Sequence, residues 1–407
     1  MTKALEHLRV LDLSRIFAGP WATQNLADLG ATVIKVERPG RGDDTRAWGP
    51  PFLKDSQGND TTNSSYFMSV NRGKHSITVD IATAEGQNII RDLVKTVDVV
   101  VENYKVGTLK RYGLDYESLS AINPRLVYCS ITGFGQTGPY APLPGYDFVF
   151  QGMSGLMSLT GKSDNEPGGG PMKFGVAIAD LTTGMYAAFA ILAAVEHRRI
   201  SGRGQHIDLS LLDCAVSLTS YMSMNYFLSG KLPQRMGNVH SNIVPYQVFR
   251  CKEGDVIMAV GNDTQFADMC VAIGMPELAE DERFKRNFDR VRNRVVLEEI
   301  LQRQLKERTM LEWVEIFERH NVPSGPIYTL DQVFEDPQIK HRGMKTSLAH
   351  EVGVQVASVA SPIRLSATPV VLTQSAPTLG SANEQVLKHE LGLSDEQIQG
   401  LRDRGIV

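Results

Sequence analysis

Between Leu8 and Leu209, short apolar runs alternate with helical stretches, and this alternation constrains the fold more than any other feature of the chain. Leu8–Leu13 reads as a buried strand, followed by Ala31–Val36, Ser76–Asp80, Val97–Val101, Arg125–Ser130 and Gln205–Leu209. Pro20 suits the first turn of a helix ending near Gly30, and Glu85–Val94 is helical. Strands separated by helices form a parallel sheet covered on both faces. The expected class is α/β, with a Rossmann-like large domain. Ala18-Gly19-Pro20 follows the first strand in place of G-x-G-x-x-G, which disfavours a dinucleotide site of the usual kind.

Beyond that region, Tyr246–Cys251 and Asp255–Val260 read as two strands around the turn at Glu253-Gly254, and Gln265–His320 is mainly helical. A second, smaller α+β domain over about 225–325 is the simplest reading. With 42% hydrophobic and 22% charged residues and a net charge of −4, the chain shows no strong pull toward nucleic acid or membrane, so neither is expected as a partner. The apolar run Met185–Val195 is too short to span a bilayer. No apolar leader follows Met1-Thr2-Lys3-Ala4-Leu5-Glu6. Cys129, Cys214, Cys251 and Cys270 form no C-x-x-C pair, and the histidines do not cluster. No metal site and no disulfide framework are expected, and the cytoplasm is the expected location.

Asp180 stands where an apolar stretch meets a long small-residue helix, Met185–Arg199. A carboxylate at such a junction is a cap or a nucleophile, and caps are commoner. Several strand ends carry basic or small residues, and in open α/β sheets ligands bind at the carboxyl ends of strands. Arg15 follows the first strand; Arg38, Arg41 and Arg46 follow the second; Asn71-Arg72-Gly73-Lys74 precedes the third. Glu102-Asn103-Tyr104 follows the fourth, with Lys110-Arg111 beyond, and Gly133-Phe134-Gly135 follows the fifth. Each arginine alone reads better as a surface ion pair. Two glycine-centred basic loops together make a polyphosphate ligand more plausible. Gly261-Asn262 opens a helix of the smaller domain, as a movable lid or as a plain helix start capped by Asp263 or Thr264.

In this order, Ala18-Gly19-Pro20, Lys35-Val36-Glu37-Arg38, Asn71-Arg72-Gly73-Lys74, Val101-Glu102-Asn103, Gly133-Phe134-Gly135 and Ala179-Asp180 resemble the class III CoA-transferases, the group of formyl-CoA, carnitine and bile-acid CoA-transferases. The resemblance implies residues 1–200 as the first part of a CoA-binding large domain, 201–225 as a linker helix, 226–325 as the small domain, and 326–407 as a linker and return to the large domain. It also implies an interlocked homodimer. Coenzyme A is then a substrate, no cofactor is bound permanently, and acyl-CoA and a carboxylic acid are the substrate partners. By the same resemblance Asp180 is the nucleophile, with backbone donors near it and in the glycine loop steadying the oxyanions. Arg15, Arg38, Arg72, Lys74, Asn103, Tyr104 and Arg111 contact CoA, and the Gly261 loop matches the family's lid with one glycine. Gly145-Tyr146-Asp147 replaces the Gly-His-Asp of the racemases that share the fold, which argues for transfer over racemisation. A non-catalytic acyl-CoA-binding protein would not need Asp180. Trp48–Phe52, Asn238–Tyr246 and Val322–Ile327 resemble the branch using succinyl-CoA with glutarate or hydroxymethylglutarate, with His240 or Arg235 as readers of a distal carboxylate.

Overall fold

The computed structural model describes residues 2–407. The chain divides into two compact units: Met1–Leu156, Lys173–Leu228 and Gln338–Val407 form the first, and Met157–Met172 with Ser229–Pro337 form the second.

The first unit is built on six parallel strands: β1 (Arg9–Asp12), β2 (Thr32–Glu37), β3 (His75–Thr78), β4 (Val99–Glu102), β5 (Val127–Thr132) and β6 (His206–Ser210). Their spatial order is β3-β2-β1-β4-β5-β6, the doubly wound order with its switch point between β1 and β4. Every residue of β4 and β5 is buried, as continuous apolar runs demand. Alternate side chains feed two cores. Leu11, Ile34, Val100 and Tyr128 meet Ile90 and Leu93 on one face, while Val10, Val33, Val99 and Val127 meet Ala22, Leu26, Ala187 and Ile191 on the other.

The first core is completed by the end of the chain: Val386, Leu387, Ile398 and Leu401 pack into it from two short helices. Asn383 pins that return, its Oδ1 accepting from the Thr78 amide at 2.7 Å.

Four helices position the site: α1 (Ala18–Asp28), α2 (Ser65–Ser69), α3 (Asp147–Met153) and α4 (Ile178–Ser201). By length and composition α4 could cross a membrane. Its alanine-rich face instead packs into the second core, while Met185, Tyr186 and Phe189 are exposed. Gly184 sets how closely α4 approaches α1: a Cβ there would stand 2.5 Å from the Ala18 carbonyl oxygen and 2.8 Å from the Trp21 ring. Only glycine permits that crossing, which brings the start of α4 to the carboxyl end of β1.

In the second unit β7 (Tyr246–Arg250), β8 (Asp255–Ala259) and β9 (Ser324–Pro326) form an antiparallel sheet in the order β9-β8-β7. Phe249, Met258, Phe266, Leu297, Trp313 and Phe317 form its core. Arg290, fully buried inside it, donates to the Val244 and Phe284 carbonyls at 2.7 and 2.9 Å and to Asp263 at 2.8 Å.

Candidate active site

At the switch point, the loops after β1 and β4 diverge and leave a crevice. The two loops hold each other. Asn103 Oδ1 accepts from the Arg15 amide at 2.8 Å, and Asn103 Nδ2 donates to the Arg15 carbonyl at 2.6 Å. Asn103 thus braces the Arg15 backbone through both ends of its side-chain amide, and it also lines the inner of the crevice's two cavities. The next residue, Ile16, sits at φ +72, a costly region for a β-branched side chain. It is held there by its amide, which donates to Asp43 at 3.2 Å.

Two cavities lie along this crevice and share Arg15 and Tyr104. The outer one, about 370 Å³, is lined by Arg38, Arg41, Ile81, Thr108 and Tyr112 among others. Arg15 lies 5.4 Å over the Tyr104 ring and pairs with Asp44 at 2.9 Å. Arg38 is exposed, and its side chain makes no hydrogen bond or ion pair among the described residues. Arg111 is exposed on the short helix that carries Thr108 and Tyr112, and it lines neither cavity. The inner cavity, about 240 Å³, is lined by Phe17, Asn103, Lys105, Gly133, Tyr146 and Asp180 among others.

Asp180 is the third residue of α4, not its cap. The cap comes from another helix: Asp147 Oδ1 accepts from the Ala179 amide at 2.7 Å and the Asp180 amide at 3.3 Å. The Asp180 carboxylate accepts no hydrogen bond among the described residues, and burial with the Asp147 charge beside it pushes its pKa up to about 7. The commoner role for such an acid, helix capping, is thus taken by Asp147. The expected oxyanion donors at this helix end are likewise already engaged. Tyr66, whose ring packs edge-on against Phe17 and Trp48 at 5.2 and 5.1 Å, also faces Asp180; burial and the two carboxylates push its phenol up to about 12. No sequence motif singled out Tyr66.

Arg72 and Lys74, which the resemblance places at CoA, line neither of these two cavities. Arg72 grips Asp28 through two bonds, at 2.8 and 2.6 Å, and donates to the Val359 carbonyl at 2.8 Å. Lys74 is buried against Asp12 at 3.0 Å and the Pro20 carbonyl at 2.9 Å. Asp12 would be raised by burial, but Lys74 and Lys35, with the Ser14 and Thr23 hydroxyls, bring it down to about 2. Lys74 thus sits at the carboxyl end of β1, whereas Arg72 lies beside the last residue of α1 and the start of β2. Gly133 lines the inner cavity, but Phe134 packs edge-on against Phe150 and Tyr140 at 5.2 and 5.4 Å.

His240, Gly261 and Asn262 belong to the second unit. His240 Nδ1 accepts from the Asn242 amide at 3.1 Å, and burial with nearby Arg294 lowers its pKa, which favours the neutral ring. Arg235 pairs with Asp164. Asn262, not Asp263 or Thr264, caps its helix, accepting from Gln265 at 2.9 Å while Gln265 Oε1 accepts from Gly261 at 2.8 Å.

A model of CoA-transferase family III matches residues 5–383. The chain belongs to CoA-transferase family III. This CoA-transferase is 48% identical to the succinate–glutarate CoA-transferase of Agrobacterium fabrum over 94% of each chain. It is 42% identical to the human succinyl-CoA:glutarate CoA-transferase, over 100% of this chain and 90% of that one. The crystal structure of a CAIB/BAIF family protein from Brucella suis matches with a TM-score of 0.83 at 47% identity, covering 96% of this chain and 100% of that one. CoA is accordingly a substrate of this family member, and the crevice is a site that could receive it.

Proposed function

We propose that this CoA-transferase moves CoA from succinyl-CoA to glutarate or a closely related dicarboxylate, with Asp180 as the covalent nucleophile. The observation that carries the reading is a half-buried carboxylate with no hydrogen-bond partner of its own, standing on the wall of a cavity that adjoins an arginine-lined groove. The names of the relatives supply the acid pair. In this reading Arg38 and Arg41 meet the phosphates of CoA in the outer cavity, Tyr104 and Arg15 flank the arm, and the thioester reaches Asp180. Asp180 attacks the thioester carbon, the C–S bond breaks, and CoA thiolate leaves an acyl–aspartyl anhydride. The thiolate returns to Asp180, releasing succinate and forming an aspartyl–CoA thioester. The acceptor carboxylate then attacks that thioester, giving a second anhydride and thiolate. Attack of the thiolate on the acceptor acyl carbon yields the new CoA ester and frees Asp180. Each intermediate stays activated, so no other energy source is required.

Intact-protein mass spectrometry after mixing with succinyl-CoA alone tests this, with borohydride reducing the thioester to an alcohol that maps to Asp180. Absence of any adduct at Asp180 sinks the nucleophile assignment. Asp180→Ala should lower turnover by about 10³-fold or more while CoA still binds, since it removes an interaction of the transition state only. The ionised carboxylate attacks, so activity should be full above pH 7 and fall as pH drops through the raised pKa of about 7.

We also propose that the protein acts as an interlocked homodimer in the cytoplasm. The exposed apolar face supports the dimer: Phe189 is 73% exposed on α4, and Phe227 and Leu228 are 70% and 83% exposed on the helix Ser220–Ser229. Sedimentation would read it directly. Four buried, unpaired cysteines suit a reducing compartment. The Gly261–Asn262 turn is the proposed lid, and His240 the proposed neutral donor to the distal carboxylate.

A further inference from the structure

Asp147 lines neither cavity, yet it makes the closest polar contacts with the helix end that carries Asp180. An acid in the first turn of a helix ordinarily folds back on the free amides there. Here those amides are taken from outside, through Asp147 Oδ1. The other oxygen of Asp147 accepts from Gln151 Nε2 at 2.5 Å, and Gln151 Oε1 accepts from the Phe174 amide at 2.9 Å. Gln151 is fully buried, so this clamp also fastens the segment leading into α4.

We propose that Asp147 is a positioning residue for CoA transfer: by occupying the amides of α4 it keeps the Asp180 carboxylate off the helix end, and its charge favours the acylated over the free enzyme. The proposal rests on Asp180 being the nucleophile. When Asp180 acquires the acyl group, the C–S electron pair and the negative charge leave on the CoA sulfur. The repulsion between the two carboxylates disappears in the anhydride and thioester and returns only when the free enzyme is regenerated. Few other charges compete. Tyr66 on α2 is held neutral, α1 offers no titratable group before Asp28, and the helix Leu211–Ser217 offers Asp213 and Cys214. Arg15 and Lys105 are the cations on the cavity wall.

The test is the pH dependence of kcat/KM. Asp147→Asn keeps an acceptor for the helix amides and removes the charge, so the acid limb should move down by roughly one pH unit while kcat falls about tenfold. That variant also opposes two amide donors at Gln151. The double variant D147N/Q151E restores the order of donors and acceptors and carries the charge one side chain farther back. It should recover the melting temperature yet keep its acid limb below that of the unsubstituted protein. An unmoved limb in both variants, with only the melting temperature changed, overturns the proposal and leaves Asp147 as a helix cap. Borohydride trapping on the unsubstituted protein separates the two levels: no adduct at Asp180 defeats the nucleophile reading, whereas an adduct with an unmoved limb defeats only the role of Asp147.

Discussion

Lys74 and Arg38 stand beside neighbouring strands of one sheet, each in a short basic segment, and the fold uses them in opposite ways. Lys74 has no exposed side-chain surface, and all its donor contacts go to Asp12, the Pro20 carbonyl and Asn71. Lys35 is equally enclosed, with Asp43 at 2.9 Å and the Ser14 carbonyl at 3.0 Å. These cations tie the loops after β1 and β2 to the floor beneath them. Arg38 projects from the rim into the outer cavity without a partner among the described residues. A buried cation is tolerated only when its hydrogen bonds and countercharge are complete, so it has nothing left for a ligand. An exposed one keeps its hydration and its full valence for a phosphate. The contrast separates what holds the crevice open from what fills it.

The largest expected effect is on the floor. Lys74→Met leaves Asp12 buried without its closest cation and should cost about 3–5 kcal/mol of stability, read by chemical denaturation. If Asp12→Asn in the same chain failed to recover any of that loss, the pair would not be the cause. Next comes the rim: Arg38→Ala should raise KM for every CoA ester alike by about tenfold, or about 1.4 kcal/mol, with the denaturation midpoint unmoved. An effect confined to one acyl group would instead place Arg38 at the acyl end. The smallest effect tests the seam between floor and rim. Asn103→Ala removes the brace on the Arg15 backbone and should raise KM by a few-fold, about 1 kcal/mol, without changing which acids are accepted. A shift in acid preference would make Asn103 a direct contact.

The six parallel strands were legible because each is a short, nearly unbroken apolar run, and strands buried on both faces require that local signature. Asp180 stood out for a similar reason: the change from an apolar lead-in to a small-residue helix is visible in a dozen residues. The return of the chain end to the first core was indicated only by resemblance, since Val386 and Leu387 acquire their meaning from Ile90 and Leu93 nearly three hundred residues earlier. The basic segment Asn71-Arg72-Gly73-Lys74 was legible only in part. Its charge was plain, but its countercharges, Asp12 and Asp28, lie 62 and 44 residues away.

By itself, then, the sequence determined the layering of the large unit, the absence of a dinucleotide fingerprint and the position of one acid at a helix start. Those are matters of periodicity and local propensity, which neighbouring residues carry among themselves. Only the tertiary structure decided which cations are spent inside and which remain for a ligand, that Asp147 rather than Asp180 caps α4, and that Tyr66 faces the same carboxylate. Burial and electrostatic environment are set by groups distant in the chain and adjacent in space, 33 residues apart for the two aspartates, and no local pattern encodes that adjacency.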